Sequence, residues 1–155
     1  MIIGYSCPMN QSHNTQNEFL RKIKISDSDS CRLCGQHCET VTHILVYCSK
    51  VAKLWIEVQS CIEKTTGTVL NFNYTDKIWG CTSIEHSFWP GNFLLLVTRY
   101  FIIICVKDGK ELYLSQLQNF AKTKYNEQKL LFQVNNNLET FERRWSLWRN
   151  MFNGL

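Results

Sequence analysis

Cys31-Arg32-Leu33-Cys34-Gly35 opens, and His43-Ile44-Leu45-Val46-Tyr47-Cys48 closes, the stretch whose reading decides the fold. Its pattern is C-x2-C-x8-H-x4-C. Two cysteines separated by two residues reach one metal ion from a tight turn whose backbone N–H groups also face the sulfurs, and Gly35 directly after the pair relaxes that turn. Zinc completes a tetrahedron with two further soft or borderline ligands, and His43 with Cys48 is a suitable pair. Four protein ligands leave no position for water, so the spacing predicts a structural Zn²⁺ rather than a catalytic one. Three thiolates around Zn²⁺ leave a formal charge of about −1, which Arg32 and Lys50 stand near enough in sequence to offset. His37 and Cys38 lie inside the spacer, so Cys31, Cys34, Cys38 and Cys48 with His43 released is an alternative set. On a regular helix, residues five apart point about 140° from one another, so a helical turn has to begin or end between His43 and Cys48.

Outward from this finger the chain reads as mainly helical. Ser49 stands as an N-cap, Val51, Leu54, Trp55, Val58 and Ile62 recur at steps of three and four, and Gly67 supplies the stop, which predicts an amphipathic helix. The expected organisation is a polar, partly disordered leader over 1–30 and the finger with its first helix over 31–65. A loop with short extended pieces follows over 66–89, then a helical tail over 90–155. In that tail Pro90 marks a helix start, Asp108-Gly109 its end, and a further helix runs from about Leu112 to Tyr125. Leu131, Val134, Leu138, Phe141, Trp145, Trp148 and Phe152 then alternate steps of three and four, a heptad seam. The seam predicts one long C-terminal helix from Asn126 to Phe152, roughly 40 Å at 1.5 Å per residue. Its partner is read as the preceding helices, in a bundle or hairpin, ahead of a second chain.

Composition bounds the function. The 155 residues carry 17 Lys+Arg against 13 Asp+Glu, a net charge of +4 with no block of like charge, which permits a nucleic-acid partner without demanding one. The N-terminus lacks a basic region and a long apolar core, so no secretory signal is read there. The apolar run from Phe93 to Val106 falls short of the ~20 residues of a membrane span, so a buried helix and no membrane are expected. An intracellular, reducing compartment follows, nucleus and cytoplasm being alike on this evidence. There eight cysteines read as metal ligands and thiols rather than disulfides. Cys61 and Cys105 read as core residues, and Cys7 and Cys81 have no partner at ligand spacing. No His, Cys and acid group has a spacing that predicts a catalytic site, and no small-molecule substrate is expected.

Cys31-x2-Cys34, Glu39, Val41, His43, Cys48 and then Leu54-Trp55 at the start of a helix together resemble the zinc-binding domain that follows the reverse transcriptase in LINE-type (non-LTR) retrotransposon polyproteins. Ile78-Trp79-Gly80 and the apolar helix after it are similar to later parts of that region. The resemblance implies Cys31, Cys34, His43 and Cys48 as zinc ligands, nothing catalytic, and a role in holding template RNA or target DNA. The chain has neither the Tyr-x-Asp-Asp motif, which Tyr74-Thr75-Asp76-Lys77 is not, nor an endonuclease, and reads as a truncated remnant. Candidate phosphate contacts are Arg32, Lys50 and Lys53 at the finger, with Lys122, Lys124, Arg143, Arg144 and Arg149 on the helices. The alternative is a structural or protein-interaction module whose 131–152 seam meets another helix.

Overall fold

The computed structural model describes residues 30–36, 39–67, 69, 71–79 and 89–146. Among these residues a π-helical turn, His43–Tyr47, is followed by five α-helices: α1 (Ser49–Thr66), α2 (Tyr74–Trp79), α3 (Trp89–Asp108), α4 (Leu114–Val134) and α5 (Leu138–Trp145). There is no strand among the described residues. The fold is mainly helical, with the Cys/His stretch ahead of the helices.

Each helix follows from its residues. In α1 the expected stripe is buried, with Val51, Leu54, Trp55, Val58 and Ile62 all inside the core. Cys48 rather than Ser49 occupies the N-cap, and Gly67 ends the helix at a φ of 68°, its N–H bonded to the Glu63 carbonyl. That left-handed stop is one a side chain would resist. The segment expected as a loop with extended pieces contains α2, whose start is a reciprocal cap. The Asp76 N–H donates to Asn73 Oδ1 at 2.9 Å, and the Asn73 N–H donates to Asp76 Oδ2 at 3.0 Å.

α3 is the central element, apolar on nearly every side: Phe93, Leu94, Leu95, Val97, Phe101, Ile102, Cys105 and Val106 are buried. Pro90 lies in its first turn, as expected, and the helix runs 20 residues rather than the 14 of the apolar run. Over Pro90–Asp108 it is long and apolar enough by composition to cross a membrane, although 61% of its most apolar window is covered by the rest of the chain. α4 packs along α3, and α5 folds back over α4 to reach α3 as well.

The long C-terminal helix is divided. The pieces expected on either side of residue 126 run as one helix, and the break falls at Asn135-Asn136-Asn137, where Asn136 takes a φ of 52° and Asn137 N–H reaches back to the Phe132 carbonyl at 2.8 Å. Asparagine tolerates this left-handed position better than other side chains, and three in succession offer the chain a turn. The seam is divided with it. Phe141 and Trp145 are 1% exposed, whereas Leu131 and Val134 are 61% and 71% exposed. The return seats Trp145 edge-on against Tyr125 at 4.8 Å and Phe93 at 5.1 Å, aromatic contacts that join α5, α4 and α3. Trp148 and Phe152, residues 1–29 of the 1–30 leader with Cys7 among them, Cys81 and Arg149 lie outside the described residues.

Candidate metal centre

The first ligand pair is shaped by its own turn. The Gly35 N–H bonds the Cys31 carbonyl at 2.7 Å, and Gly35 takes a φ of 68°. The second pair is shaped by the π turn, which closes when the Cys48 N–H reaches the His43 carbonyl at 2.7 Å. An i→i+5 closure brings the residue five along round to lie above the first. This is how the structure resolves the ~140° that a regular helix would put between His43 and Cys48. Beyond Cys48 the backbone turns extended for one residue and α1 begins.

The two halves meet. One ligand atom from each of Cys31, Cys34, His43 and Cys48 lies within 4.8 Å of the others. The Cys31 and Cys48 sulfurs are 3.9 Å apart, and the Cys34 sulfur is 3.4 Å from His43 Nε2. A tetrahedral ion with Zn–S of about 2.3 Å and Zn–N of about 2.0 Å needs edges of about 3.8 Å between sulfurs and about 3.5 Å between sulfur and nitrogen. Both observed separations fit. Cys31 and Cys48 are fully buried, His43 nearly so, and Cys34 half-buried.

Burial pushes the Cys31 thiol up to about 12 and raises the Cys48 thiol as well. Backbone N–H groups oppose it, those of Cys34 and Leu33 at the Cys31 sulfur and those of Val51 and Lys50 at the Cys48 sulfur. Dipoles aimed at two sulfurs that burial keeps neutral favour thiolates held by a cation.

Two residues of the motif, Glu39 and Trp55, support the site through hydrogen bonds that the sequence does not announce. Glu39, whose side chain is completely buried, accepts the Arg32 backbone N–H at 2.9 Å and the Arg32 guanidinium through Nη2 at 2.8 Å and Nε at 3.1 Å. Trp55, 1% exposed, donates its indole N–H to the Leu45 carbonyl at 2.9 Å and so fastens α1 to the π turn. The signals were an acid between the two ligand pairs and a tryptophan nearly two helical turns inside α1.

Residues 6–55 match the family model described as zinc-binding in reverse transcriptase. That segment, about a third of the chain, is similar to the reverse-transcriptase zinc-binding family. No polymerase or endonuclease domain is detected with it. No curated protein and no solved structure matches the chain. That family's description names zinc, and Cys31, Cys34, His43 and Cys48 are positioned to bind a metal. Cys38 and His37, the alternative ligands, lie outside the described residues.

Three of the expected basic residues share one cleft. Arg32, Lys50 and Lys53 line a cleft of about 790 Å³ between the finger, α1 and the α3–α4 connection, where Lys110 joins them and Glu57 and Glu111 oppose them. Arg32 is committed to Glu39, Lys110 pairs with Asp108 at 2.8 Å, and Lys53 lies 3.9 Å from Glu57. Arg143 and Arg144 are on α5 and are not among the residues lining that cleft, Arg144 lying over the Phe132 ring at 5.6 Å. Lys124 pairs with Glu127 at 2.8 Å.

Proposed function

We propose that Cys31, Cys34, His43 and Cys48 hold one structural zinc ion, and that the chain is a non-catalytic module binding nucleic acid through the surface beside that finger. The observation that carries the zinc assignment is the convergence of three thiols and an imidazole within 4.8 Å, two of whose separations match the edges of a zinc tetrahedron. Such a site keeps no ligand position for a reacting molecule, which supports binding rather than catalysis. The nucleic-acid reading is supported by the similarity of residues 6–55 to that family and by the three lysines, Lys50, Lys53 and Lys110, on one cleft. They are suited to phosphate contacts, which position a nucleic acid without reading its bases. A thiol-rich zinc site also suits a reducing compartment.

Two measurements test this. Metal analysis of the purified chain is expected to find one zinc per molecule, retained by Cys38→Ser and lost by His43→Ala. A salt titration of RNA and single-stranded DNA binding is expected to give a log-log slope of roughly −0.7 per phosphate contacted. Lys50→Gln with Lys53→Gln and Lys110→Gln flattens it by about two to three such contacts. Absence of binding at low salt sinks the nucleic-acid reading and leaves the zinc site standing.

One observation favours a second reading. Leu131 and Val134 at the end of α4 are both more than half exposed, the part of the seam that α5 does not cover. A protein partner for that end would show as association in sedimentation at micromolar concentration, and a strict monomer with no retained partner removes it.

A further inference from the structure

The four candidate ligands sit on two short arms that no strand ladder joins among the described residues. One carries Cys31 and Cys34 and the other His43 and Cys48, and an eight-residue spacer separates them in sequence. Loop closure of that kind is costly unless something fixes where the chain returns. Two adjacent residues, Glu39 and Thr40, do so. The Glu39 carboxylate grips the first arm, receiving the Arg32 backbone N–H between the two cysteines and the Arg32 guanidinium through two of its nitrogens. The Thr40 hydroxyl starts the second arm, accepting the His43 N–H at 2.9 Å, while the Thr40 carbonyl accepts the Ile44 N–H at 2.8 Å. One peptide unit thus joins a clamp on the Cys31 arm to a cap on the His43 arm.

The chemistry makes the clamp directional. Both carboxylate oxygens of Glu39 are buried and used, and the planar guanidinium meets them edge to edge, the forked geometry that a lysine cannot supply. A carboxylate with its side chain at 0% exposure is tolerated only where charge and hydrogen bonds meet it, so the loop is held in the arrangement that keeps Arg32 in reach. None of these contacts involves a ligand atom.

We infer that Arg32, Glu39 and Thr40 are positioning residues for the metal, a latch that sets the two ligand arms at tetrahedral spacing and thereby fixes zinc affinity. This rests on the zinc assignment made above. It also gives Arg32 a task other than phosphate contact.

The test is zinc transfer from the full-length chain to a chromophoric chelator, read beside the visible spectrum of the Co²⁺-substituted protein. Glu39→Gln keeps the shape and removes the charge, and is expected to weaken zinc binding by about 10- to 100-fold, the range seen when groups supporting metal ligands are changed. The cobalt bands stay where the wild type has them, because all four ligands remain. Arg32→Gln is expected to behave likewise, and Arg32→Lys to rescue it only in part. The double variant Arg32→Gln/Glu39→Gln is expected to lose less than the product of the two single losses, since residues in one ion pair are not additive. Thr40→Val removes the cap alone and is expected to cost several-fold. Zinc affinity in Glu39→Gln within twofold of the wild type overturns the latch. If Glu39→Gln does not fold, Arg32→Gln, which alters the part-exposed partner, decides by the same criterion. A wild-type chain that binds no zinc overturns the metal assignment instead, so the two failures are told apart.

Discussion

Trp55→Phe tests how the finger is fastened to the helices. The indole N–H is the partner of the Leu45 carbonyl at 2.9 Å, in a place where Trp55 and Leu45 are 1% and 2% exposed. Phenylalanine keeps most of the ring and so keeps the edge contact with Phe72 and the position beneath the Lys77 ammonium. It cannot donate. A buried carbonyl left unpaired costs about 1–3 kcal/mol, and the smaller ring adds about 1 kcal/mol for the space it leaves. A loss of about 2–4 kcal/mol follows, or a fall of roughly 5–15 °C in Tm for a chain of this size. Denaturant unfolding of the zinc-loaded protein measures it directly, with Trp79→Phe as the comparison because Trp79 is 71% exposed and its replacement should cost less than about 0.5 kcal/mol. If the two variants are equally stable, the Trp55 bond does not hold the π turn to α1.

Further expectations follow from other parts of the molecule. Excess chelator is expected to unfold the finger and fray the start of α1, seen as lost helical ellipticity that Zn²⁺ restores and Mg²⁺ does not; an unchanged spectrum counts against a structural ion. Burial raises the Cys31 and Cys48 thiols, so at neutral pH both carry protons that zinc must displace, and zinc affinity therefore rises with pH and is lost as pH falls. Proton release on zinc addition in weak buffer reads this, and uptake of zinc with no release contradicts it. Phe141→Ala removes a fully buried ring from the α3–α4–α5 contact and is expected to cost about 3–5 kcal/mol in chemical unfolding, a loss under 1 kcal/mol speaking against the observed return of α5. Asn136→Ala places an alanine at a φ of 52° and is expected to destabilise by about 1 kcal/mol, whereas Asn136→Gly is expected to be nearly neutral; equal effects would argue against the left-handed turn.

What the sequence made legible was whatever repeats or is spaced by chemistry. The stripe Val51 to Ile62 and the stop at Gly67 set out α1 because burial and a left-handed glycine each leave a local mark. The four donors are likewise legible because a small ion constrains their spacing. The break at Asn135–Asn137 was not, since Leu131, Val134 and Leu138 keep the heptad step across it; a period records which residues are apolar and not whether the chain turns back between them. The π turn left only an indirect mark, the misfit between His43 and Cys48 on a regular helix. The short helix α2 was missed although Asn73-x-x-Asp76 is a capping box, because the flanking Asn and aromatic residues read as loop. Arg32 was read as a phosphate contact because its buried partner, Glu39, is seven residues away and nothing local announces the pairing.

The π turn also bears on how this site tolerates changes in chain length. An i→i+5 turn is what an i→i+4 turn becomes when it takes up one surplus residue. Deleting one residue at the exposed Tyr47 would therefore let the turn close as an ordinary α turn, with the cysteine still one turn beyond His43. Adding a residue leaves no common helical closure to absorb it and swings the cysteine sulfur round by about 100°. Between its last two ligands the finger can lose a residue more readily than it can gain one.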